Sequence, residues 1–351
     1  MKAKYYSLAL LFILFGCRKK ESPSIDSYDQ TIKADVALSD LIEVKEDYIL
    51  LDTIEGANII LPQKVLKSPD GTIWINDSRG KKFVNFTTSG KWIGTFSKFG
   101  QGPGEYINQT DFDITPTGQI YVLDGRLDKV FVYEASGEFS HYVEMPFEAS
   151  MMHVLNDGNI LFGISAWDKT YGNQWKVALT DSEGSPIEFM IPADEFVDND
   201  IWLGISGFTV KENGDIIYNR EINDDIYVFD SKGKIKSVTH MDFGKYTVAD
   251  EDKKNIENNS NFDNYRNIVG RVGMFDDNFI GNIWVNGRMS MFVTDGKEAK
   301  IQLIDRHLGN IGFINDCMVQ PILVDEEDYQ LPDSVRQHLE NEGMALRILK
   351  F

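Results

Sequence analysis

The pattern that decides the fold is Gly71-Thr72-Ile73-Trp74-Ile75. Its glycine supplies the positive φ of a tight turn, and the β-branched and aromatic residues behind it are typical of a short strand. The pattern occurs four more times, as Gly118-Gln119-Ile120-Tyr121-Val122, Gly158-Asn159-Ile160-Leu161-Phe162, Gly214-Asp215-Ile216-Ile217-Tyr218 and Gly281-Asn282-Ile283-Trp284-Val285. Recurrence of one turn-and-strand unit predicts a repeat fold built from small sheets.

A second glycine turn follows the first in every unit. An aromatic or apolar residue precedes this glycine by four or five positions, in Phe86–Gly90, Tyr133–Gly137, Leu179–Gly184, Phe229–Gly233 and Phe292–Gly296. The two glycines of a unit lie 19 residues apart in units one, two and four, 26 apart in unit three and 15 apart in unit five. Successive units begin 47, 40, 56 and 67 residues apart, which is typical of four-stranded propeller blades with insertions.

A sixth unit has to be assembled from the two ends of the chain. Apolar strands are predicted over 318–324 and 344–351, and Tyr48-Ile49-Leu50-Leu51 is a strand without a unit of its own. Pairing the N-terminal strand with the C-terminal blade would close the ring and leave no exposed sheet edge. We therefore predict an all-β fold, a six-bladed β-propeller of four-stranded antiparallel blades spanning 41–351.

Two segments interrupt the strand pattern. Residues 333–343 predict a short helix with Asp333 as its N-cap, and the polar stretch 245–267 predicts a decorating loop or helix between units four and five.

The N-terminus predicts export. Lys2 and Lys4 precede an apolar run over 8–15, which is too short to span a bilayer of about 30 Å. The following Leu14-Phe15-Gly16-Cys17 resembles a bacterial lipobox. We predict a lipoprotein signal peptide over 1–16, acylation of Cys17 and a tether over 17–40; the alternative is an ordinary signal peptide with an unrelated cysteine.

The location that follows is the bacterial cell envelope, with the lipid anchor as the only membrane contact. Arg18-Lys19-Lys20 follows the cysteine, where an acidic cluster would resemble a surface-export signal. The periplasmic side of the outer membrane is therefore favoured over the cell surface.

The charge of the chain excludes one class of partner. There are 55 acidic residues against 35 basic ones, a formal net charge of −20, which repels phosphate backbones, so we expect no nucleic-acid binding. Beyond Cys17 only Cys317 remains, so no internal disulfide is expected in the propeller, and we predict a monomer.

One loop carries a family resemblance. The run Gly100-Gln101-Gly102-Pro103-Gly104-Glu105-Tyr106, followed by strand-like residues 120–124 and 130–133, resembles the six-bladed β-propeller lipoproteins, relatives of NHL-repeat propellers. The resemblance covers about 41–351 and implies fold and export, because that family has no well-defined common activity. No helix and no Lys-Ser/Thr pair follows the glycines, which excludes a P-loop and favours a tight connection between blades.

Four arginines share a place in the repeat. They are Arg79, Arg126, Arg220 and Arg288, which stand 8, 8, 6 and 7 residues after the first glycine of their units. Each is predicted in the loop between the second and third strands, on the face that also carries the 100–106 loop, near the mouth of the channel. We predict these four as ligand-binding residues for an anionic ligand or an acidic partner segment. The alternative is that each arginine anchors its own turn to a nearby Asp.

No catalytic constellation is visible. The five histidines, which are His141, His153, His240, His307 and His338, show no metal-ligand spacing, and no nucleophile motif is present. We assign no catalytic residue, no metal ligand and no cofactor; related propellers include lactonases and lyases that hold a divalent cation in the channel, and the sequence names no ligands for one here. Trp167, Trp175 and Trp202 suggest either a sugar-stacking surface or blade packing.

The leading hypothesis is therefore a non-enzymatic platform that binds an envelope protein or a glycan. The alternative is a lyase or lactone hydrolase of the propeller type that uses a channel metal. A purely structural scaffold within an envelope complex is a third possibility.

Overall fold

Six small sheets, five of four strands and one of five, make up the described part of the chain. The computed structural model describes residues 28–39, 42–194, 206–220, 222–303, 309–323 and 331–351. The predicted signal peptide, Cys17 and Trp202 lie outside these residues. Within them the sheets form a ring of six blades of four antiparallel strands each, which confirms the predicted fold class.

The strands follow one another blade by blade along the chain. Two precede the blades, β1 (Gln30–Lys33) and β2 (Lys45–Leu51). Blades 1 and 2 contain β3 (Pro62–Lys67), β4 (Ile73–Asp77), β5 (Lys82–Phe86), β6 (Trp92–Phe96), β7 (Asp111–Ile114), β8 (Ile120–Asp124), β9 (Lys129–Tyr133) and β10 (Phe139–Glu144). Blades 3 and 4 contain β11 (Ala149–Val154), β12 (Ile160–Ile164), β13 (Trp175–Thr180), β14 (Pro186–Pro192), β15 (Thr209–Val210), β16 (Ile216–Asn219), β17 (Asp225–Phe229) and β18 (Ile235–Asp242). Blades 5 and 6 contain β19 (Asn267–Phe275), β20 (Asn278–Val285), β21 (Arg288–Thr294), β22 (Ala299–Leu303), β23 (Gly312–Ile314), β24 (Cys317–Ile322) and β25 (Met344–Lys350).

The ring closes through blade 6, as predicted. Its strand order is β2-β25-β24-β23, so the N-terminal strand is the outermost strand of the C-terminal blade. Pairing runs antiparallel over seven positions, from Lys45 opposite Lys350 to Leu51 opposite Met344. Leu51 and Leu346 are buried in the cluster that also joins blade 6 to blade 1.

The repeated glycines make the predicted turns in four of the five units. Gly71, Gly118, Gly158 and Gly214 have φ between 83° and 89°, and the second strand of the blade begins two residues later. The prediction was wrong for Gly281, which lies inside β20; the turn of that hairpin is Asp276-Asp277. A Cβ at Gly281 would lie 2.8 Å from the ring of Phe292, so this glycine is needed for packing between strands.

The insertion between blades 4 and 5 is mostly short helical turns. It contains three 3₁₀ turns, Gly244–Tyr246, Ile256–Asn258 and Phe262–Asn264, and helix α1 (Asp250–Lys253). Ile256 anchors it against Ile222 and Val248.

Helix α2 (Asp333–Glu340) covers blade 6, with Val335 and Leu339 buried. Pro332 occupies the N-cap and Asp333 is the first helical residue, so the predicted N-cap was wrong by one position.

Buried aspartates tie the loops of one face together. Asp124, which is fully buried, accepts backbone N–H bonds from Ile107 and Asn108 in the connection from blade 1 and from two residues of its own loop. Asp77 does the same with three N–H groups in blade 1. Asp168 accepts four in blade 3, from Glu148, Thr170, Tyr171 and Gly172.

The segment before the first blade is packed on the propeller. Strand β1 adds to the outer edge of blade 4, parallel to β18, with Gln30 opposite Thr239. Arg266, which is 4% exposed, donates from Nη1 to the carbonyls of Ala34 (2.7 Å) and Val36 (2.8 Å) and lies over the ring of Tyr246. Residues 28–39 are thus packed on the propeller, so this part of the predicted tether belongs to the folded domain.

Replacing Arg266 by methionine should release this segment. We expect the free energy of unfolding to fall by about 2–4 kcal/mol, since two charge-assisted hydrogen bonds to buried carbonyls are lost. Denaturant unfolding together with limited proteolysis checks this, with faster cleavage expected near residues 28–39. Lys33→Ala, at an exposed position of the same segment, is the control. Equal protection in both variants would contradict the role given to Arg266.

Candidate functional site

The inner strands of the six blades enclose a central cavity of about 680 Å³. Every blade contributes to its wall, with Lys64 from blade 1, Asp113 from blade 2, His153 from blade 3, Thr209 from blade 4, Arg271 from blade 5 and Phe313 from blade 6. The wall continues into turns between first and second strands, at Pro69, Pro116 and Asn156. The cavity therefore opens on the face that carries these turns.

The charged side chains of the wall are mostly cationic. They are Lys64, Lys67, Lys211 and Arg271, against Asp113 and Glu212. Near the opening, Lys67 donates to Asn315 Oδ1 (2.7 Å) and Lys211 to the carbonyl of Asp276 (2.9 Å). Neither of these two lysines has an ion pair with a described carboxylate. Because Lys64 is paired with Asp111, three cations and two carboxylates remain in the wall, which is a small positive excess in a chain of net charge −20.

Deep in the cavity one lysine is neutralised by the protein itself. Lys64 Nζ lies 2.7 Å from Asp111 Oδ1 and also donates to the carbonyl of Phe112. The other oxygen of Asp111 accepts the backbone N–H of Met152 at 2.9 Å. This buried pair links blades 1, 2 and 3, so Lys64 has a structural role of its own.

Arg271 has no such partner. The residue is only 4% exposed. Its Nη1 donates a hydrogen bond to the carbonyl of Gln63 (3.0 Å), and its Nε has no hydrogen-bond partner among the described residues. No carboxylate among the described residues lies within ion-pair distance. Burial lowers the pKa of the guanidinium, opposed in part by the charge of Asp111. A buried cation left in this condition costs free energy.

Thr209 presents a second unsatisfied group in the same wall. Its residue is 6% exposed, and its Oγ1 has no hydrogen-bond partner among the described atoms. Gly207, two residues earlier, packs directly on the guanidinium of Arg271: a Cβ there would lie 2.6 Å from Nε. Blades 4 and 5 together therefore place a cation without a carboxylate partner and a hydroxyl without a hydrogen-bond partner among the residues that line the cavity.

A histidine–aspartate pair lies in the part of the wall that blades 2 and 3 contribute. His153 Nδ1 is 2.7 Å from Asp113 Oδ2, which also accepts the backbone N–H of Val154 at 2.8 Å. Both residues are partly buried, with side-chain exposures of 19% and 13%. The pair joins the inner strands of blades 2 and 3.

The four predicted ligand-binding arginines are divided by the structure. Arg79, Arg126 and Arg288 are exposed, at the connections between second and third strands. In an antiparallel blade these connections lie on the face opposite the first turns, so the three arginines are on the face opposite the cavity opening. None has an ion pair among the described residues.

Arg220 is used internally. It is 8% exposed, with Nη1 lying 2.6 Å from Asp194 Oδ2 and donating to the carbonyl of Pro192. Burial alone would lower its pKa, but the charge of Asp194 outweighs it and raises the pKa. For this residue the anchoring alternative describes the geometry.

The 100–106 loop connects blades 1 and 2. Gly102 N donates to Glu105 Oε2 at 2.8 Å, so this carboxylate holds its own loop. Gly104, with φ of 73°, packs against Phe139, and its carbonyl accepts the hydroxyl of Tyr133. Tyr106 is fully buried, and burial raises its pKa to about 12. The loop is thus a connection between blades that is anchored by the buried Tyr106 and by Gly104, beside the half-buried Gly100, while Gln101 and Pro103 are exposed.

Other candidates from the sequence are dispersed. Trp175 stacks on Phe189, in a packed blade, whereas Trp167 is 59% exposed on the arginine face. His240 pairs with Asp225 on the outside of blade 4. Among the described residues, no group of three His, Cys, Asp or Glu side chains is placed to hold a metal ion.

Sequence reasoning missed Arg271, Thr209 and the His153–Asp113 pair. One signal was available: Arg271 interrupts the apolar strand Ile268-Val269-Gly270-Arg271-Val272. A charge inside an otherwise buried strand is rare and calls for a partner. A ligand that pairs with Arg271 cannot be recognised from the sequence.

The chain belongs to a known family. The family described as "Domain of unknown function (DUF4934)" matches residues 23–332. A search of curated proteins found no match.

Solved structures share the fold. One is a protein from Bacteroides fragilis that is described as exported on the basis of prediction. It is 18% identical to this chain, with a TM-score of 0.74 over 92% of this chain and 99% of that one. A DUF4221 family member from Bacteroides vulgatus is 11% identical, with a TM-score of 0.58 over 88% and 98%. Virginiamycin B lyase from Staphylococcus aureus is 12% identical, with a TM-score of 0.46 over 88% and 100%, and no functional conclusion follows from it.

No helix within the described residues has the length and apolar character needed to cross a bilayer.

Proposed function

We propose that this protein is an exported binding propeller whose central cavity takes up an anionic group of its ligand. The observation that carries the proposal is Arg271, a buried guanidinium in the cavity wall without a described carboxylate to pair with. Proteins rarely bury an unpaired charge, because desolvation costs several kcal/mol per ion. A carboxylate or sulfate from a ligand would complete the guanidinium fork bidentately.

Three further features support an anionic ligand. The hydroxyl of Thr209 can donate to a second oxygen of the same group. Lys67 and Lys211 at the opening add positive potential that draws an anion in against the negative charge of the whole chain. The cavity volume of about 680 Å³ lies within the range typical of small-ligand sites.

The source of that group is an acidic glycan or a segment of an envelope protein. Export is supported by the N-terminal sequence and by the description of the Bacteroides fragilis protein. In this proposal Cys17 carries the lipid anchor, at the periplasmic side of the outer membrane.

Calorimetric titration of the mature domain with galacturonate tests the proposal, with galactose as the uncharged control. We expect binding of galacturonate only, weakened about tenfold or more by Arg271→Met, which removes a charge-assisted contact. The same variant should unfold at an unchanged or higher temperature without ligand, since it removes an unpaired buried charge. A double variant, Arg126→Ala with Arg288→Ala, tests whether the exposed arginines on the face opposite the cavity opening bind the ligand instead.

The outcomes distinguish the two surfaces. Loss of binding in Arg271→Met with full binding in the double variant supports the cavity. Loss in the double variant alone would place the anion at the exposed arginines and contradict the cavity proposal. Equal binding of galactose and galacturonate would show that the negative charge of the ligand does not contribute to binding, which would contradict the proposal.

A further inference from the structure

His153 is held in one tautomer by its surroundings. Asp113 Oδ2 accepts two hydrogen bonds, from His153 Nδ1 and from the backbone N–H of Val154. Burial would raise the pKa of Asp113, but the charge and hydrogen bond of His153, together with Lys64, outweigh burial and lower it. An ionised Asp113 only accepts hydrogen bonds, so Nδ1 is the proton donor in this contact, and in the neutral imidazole the lone pair lies on Nε2.

The free nitrogen belongs to a side chain that lines the cavity. Nε2 of His153 has no hydrogen-bond partner among the described residues, and the residue is part of the wall that also contains Arg271. A second pair in the molecule shows the contrast. His240 makes the same contact with Asp225 at 2.8 Å, but its ring is stacked against Tyr28 on the outside of blade 4.

We infer that His153 is a general base that acts on a uronate sugar whose carboxylate is bound by Arg271, with Asp113 as its positioning residue. The inference rests on the proposed function, because it requires an anion in the cavity. Binding a carboxylate to a cation makes the adjacent C–H more acidic, since the charge that develops on the carboxylate is stabilised. A uronate in a glycan has such a C–H at C5 and a glycosidic oxygen as leaving group at C4.

The reaction that fits these groups is β-elimination. Nε2 of His153 takes the C5 proton, the C–H electron pair becomes the C4=C5 double bond, and the C4–O bond breaks. The imidazolium then returns the proton to the departing oxygen. One glycan yields a shortened chain and an unsaturated uronate, and no oxidant, reductant or water is consumed.

The test uses the mature domain with trigalacturonate and with hyaluronan oligosaccharides. Product formation is followed by the ultraviolet absorbance of the double bond conjugated to the carboxylate, and binding is measured separately by calorimetry. We expect His153→Gln to lower kcat by about 10²–10⁴-fold with binding nearly unchanged. Asp113→Asn should lower kcat and leave KM nearly unchanged, and His240→Gln should behave as the unaltered protein.

Each result bears on a different statement. Binding without any unsaturated product, or equal rates in His153→Gln and the unaltered protein, overturns the catalytic inference and leaves the binding proposal standing. Failure of every acidic probe to bind contradicts both. If His153→Gln fails to fold, His153→Ala with added imidazole replaces it: restored product formation supports the inference, and no restoration in a folded variant overturns it.

Discussion

Replacing Asp168 by alanine is expected to lower the free energy of unfolding by about 3–5 kcal/mol. Its carboxylate, in a residue 9% exposed, accepts four backbone N–H groups from two separate loops of blade 3. Alanine leaves those donors without an acceptor in a site where water has little access. Denaturant unfolding at neutral pH measures the loss.

The pH dependence of that loss identifies its cause. Burial would raise the pKa of Asp168, but the four N–H bonds outweigh burial and lower the pKa below its ordinary 3.8. A folded-state pKa below the unfolded value means that the stabilisation is complete above pH 3.8 and is lost as the pH falls through the folded pKa. The two unfolding curves should therefore converge in acid. A constant difference at every pH would contradict the carboxylate as the source.

Asp157→Ala supplies the matched control. Asp157 also accepts a backbone N–H, from Asn159 at 3.1 Å, but in an exposed turn of the same blade. We expect a change within about 0.5 kcal/mol there.

Removing residues 1–51 should have the largest effect of all, which is loss of the soluble folded domain. Strand β2 pairs with β25 over seven positions. Its absence would expose one edge of β25 and open the cluster that holds Leu346, while blade 6 would lose its outermost strand. The expected loss, about 5 kcal/mol or more, is comparable with the whole stability of a typical domain, and the exposed edge favours aggregation.

A chain that starts at Val44 is the control for this truncation. It keeps β2 but lacks Ile32 and Ala34, which are buried against blades 4 and 5. We expect it to fold, with a lower midpoint of unfolding. Solubility, circular dichroism and thermal unfolding compare the two. A cooperative transition at the same temperature in both would show that ring closure contributes little.

The fold could be predicted because its turns and strands depend on residues that are close together in the sequence. Gly71 and Gly118 are required by positive φ, and the strands behind them have β-branched and aromatic side chains. The prediction was wrong at Gly281 because the sequence does not distinguish a glycine that close packing requires from a glycine that a turn requires.

The candidate site could not be predicted in the same way. Its residues come from the first strand of each blade. That strand ends four residues before the turn glycine in blades 1 to 4, so its position could be predicted there, but Gly281 does not mark the turn of blade 5 and gave no such reference for Arg271. Whether an arginine is paired depends on contacts between distant segments: Arg220 meets Asp194, whereas Arg271 meets only the carbonyl of Gln63. The positions of Arg79, Arg126, Arg220 and Arg288 in the repeat are equivalent, but the four residues differ in burial and in their contacts.

A crystal structure of the mature domain soaked with galacturonate tests the central claim most directly. The account predicts the carboxylate within hydrogen-bond distance of the Arg271 guanidinium, inside the ring of inner strands. Galacturonate bound only beside Arg79 or Arg126 on the opposite face, with the cavity free of sugar, would contradict it.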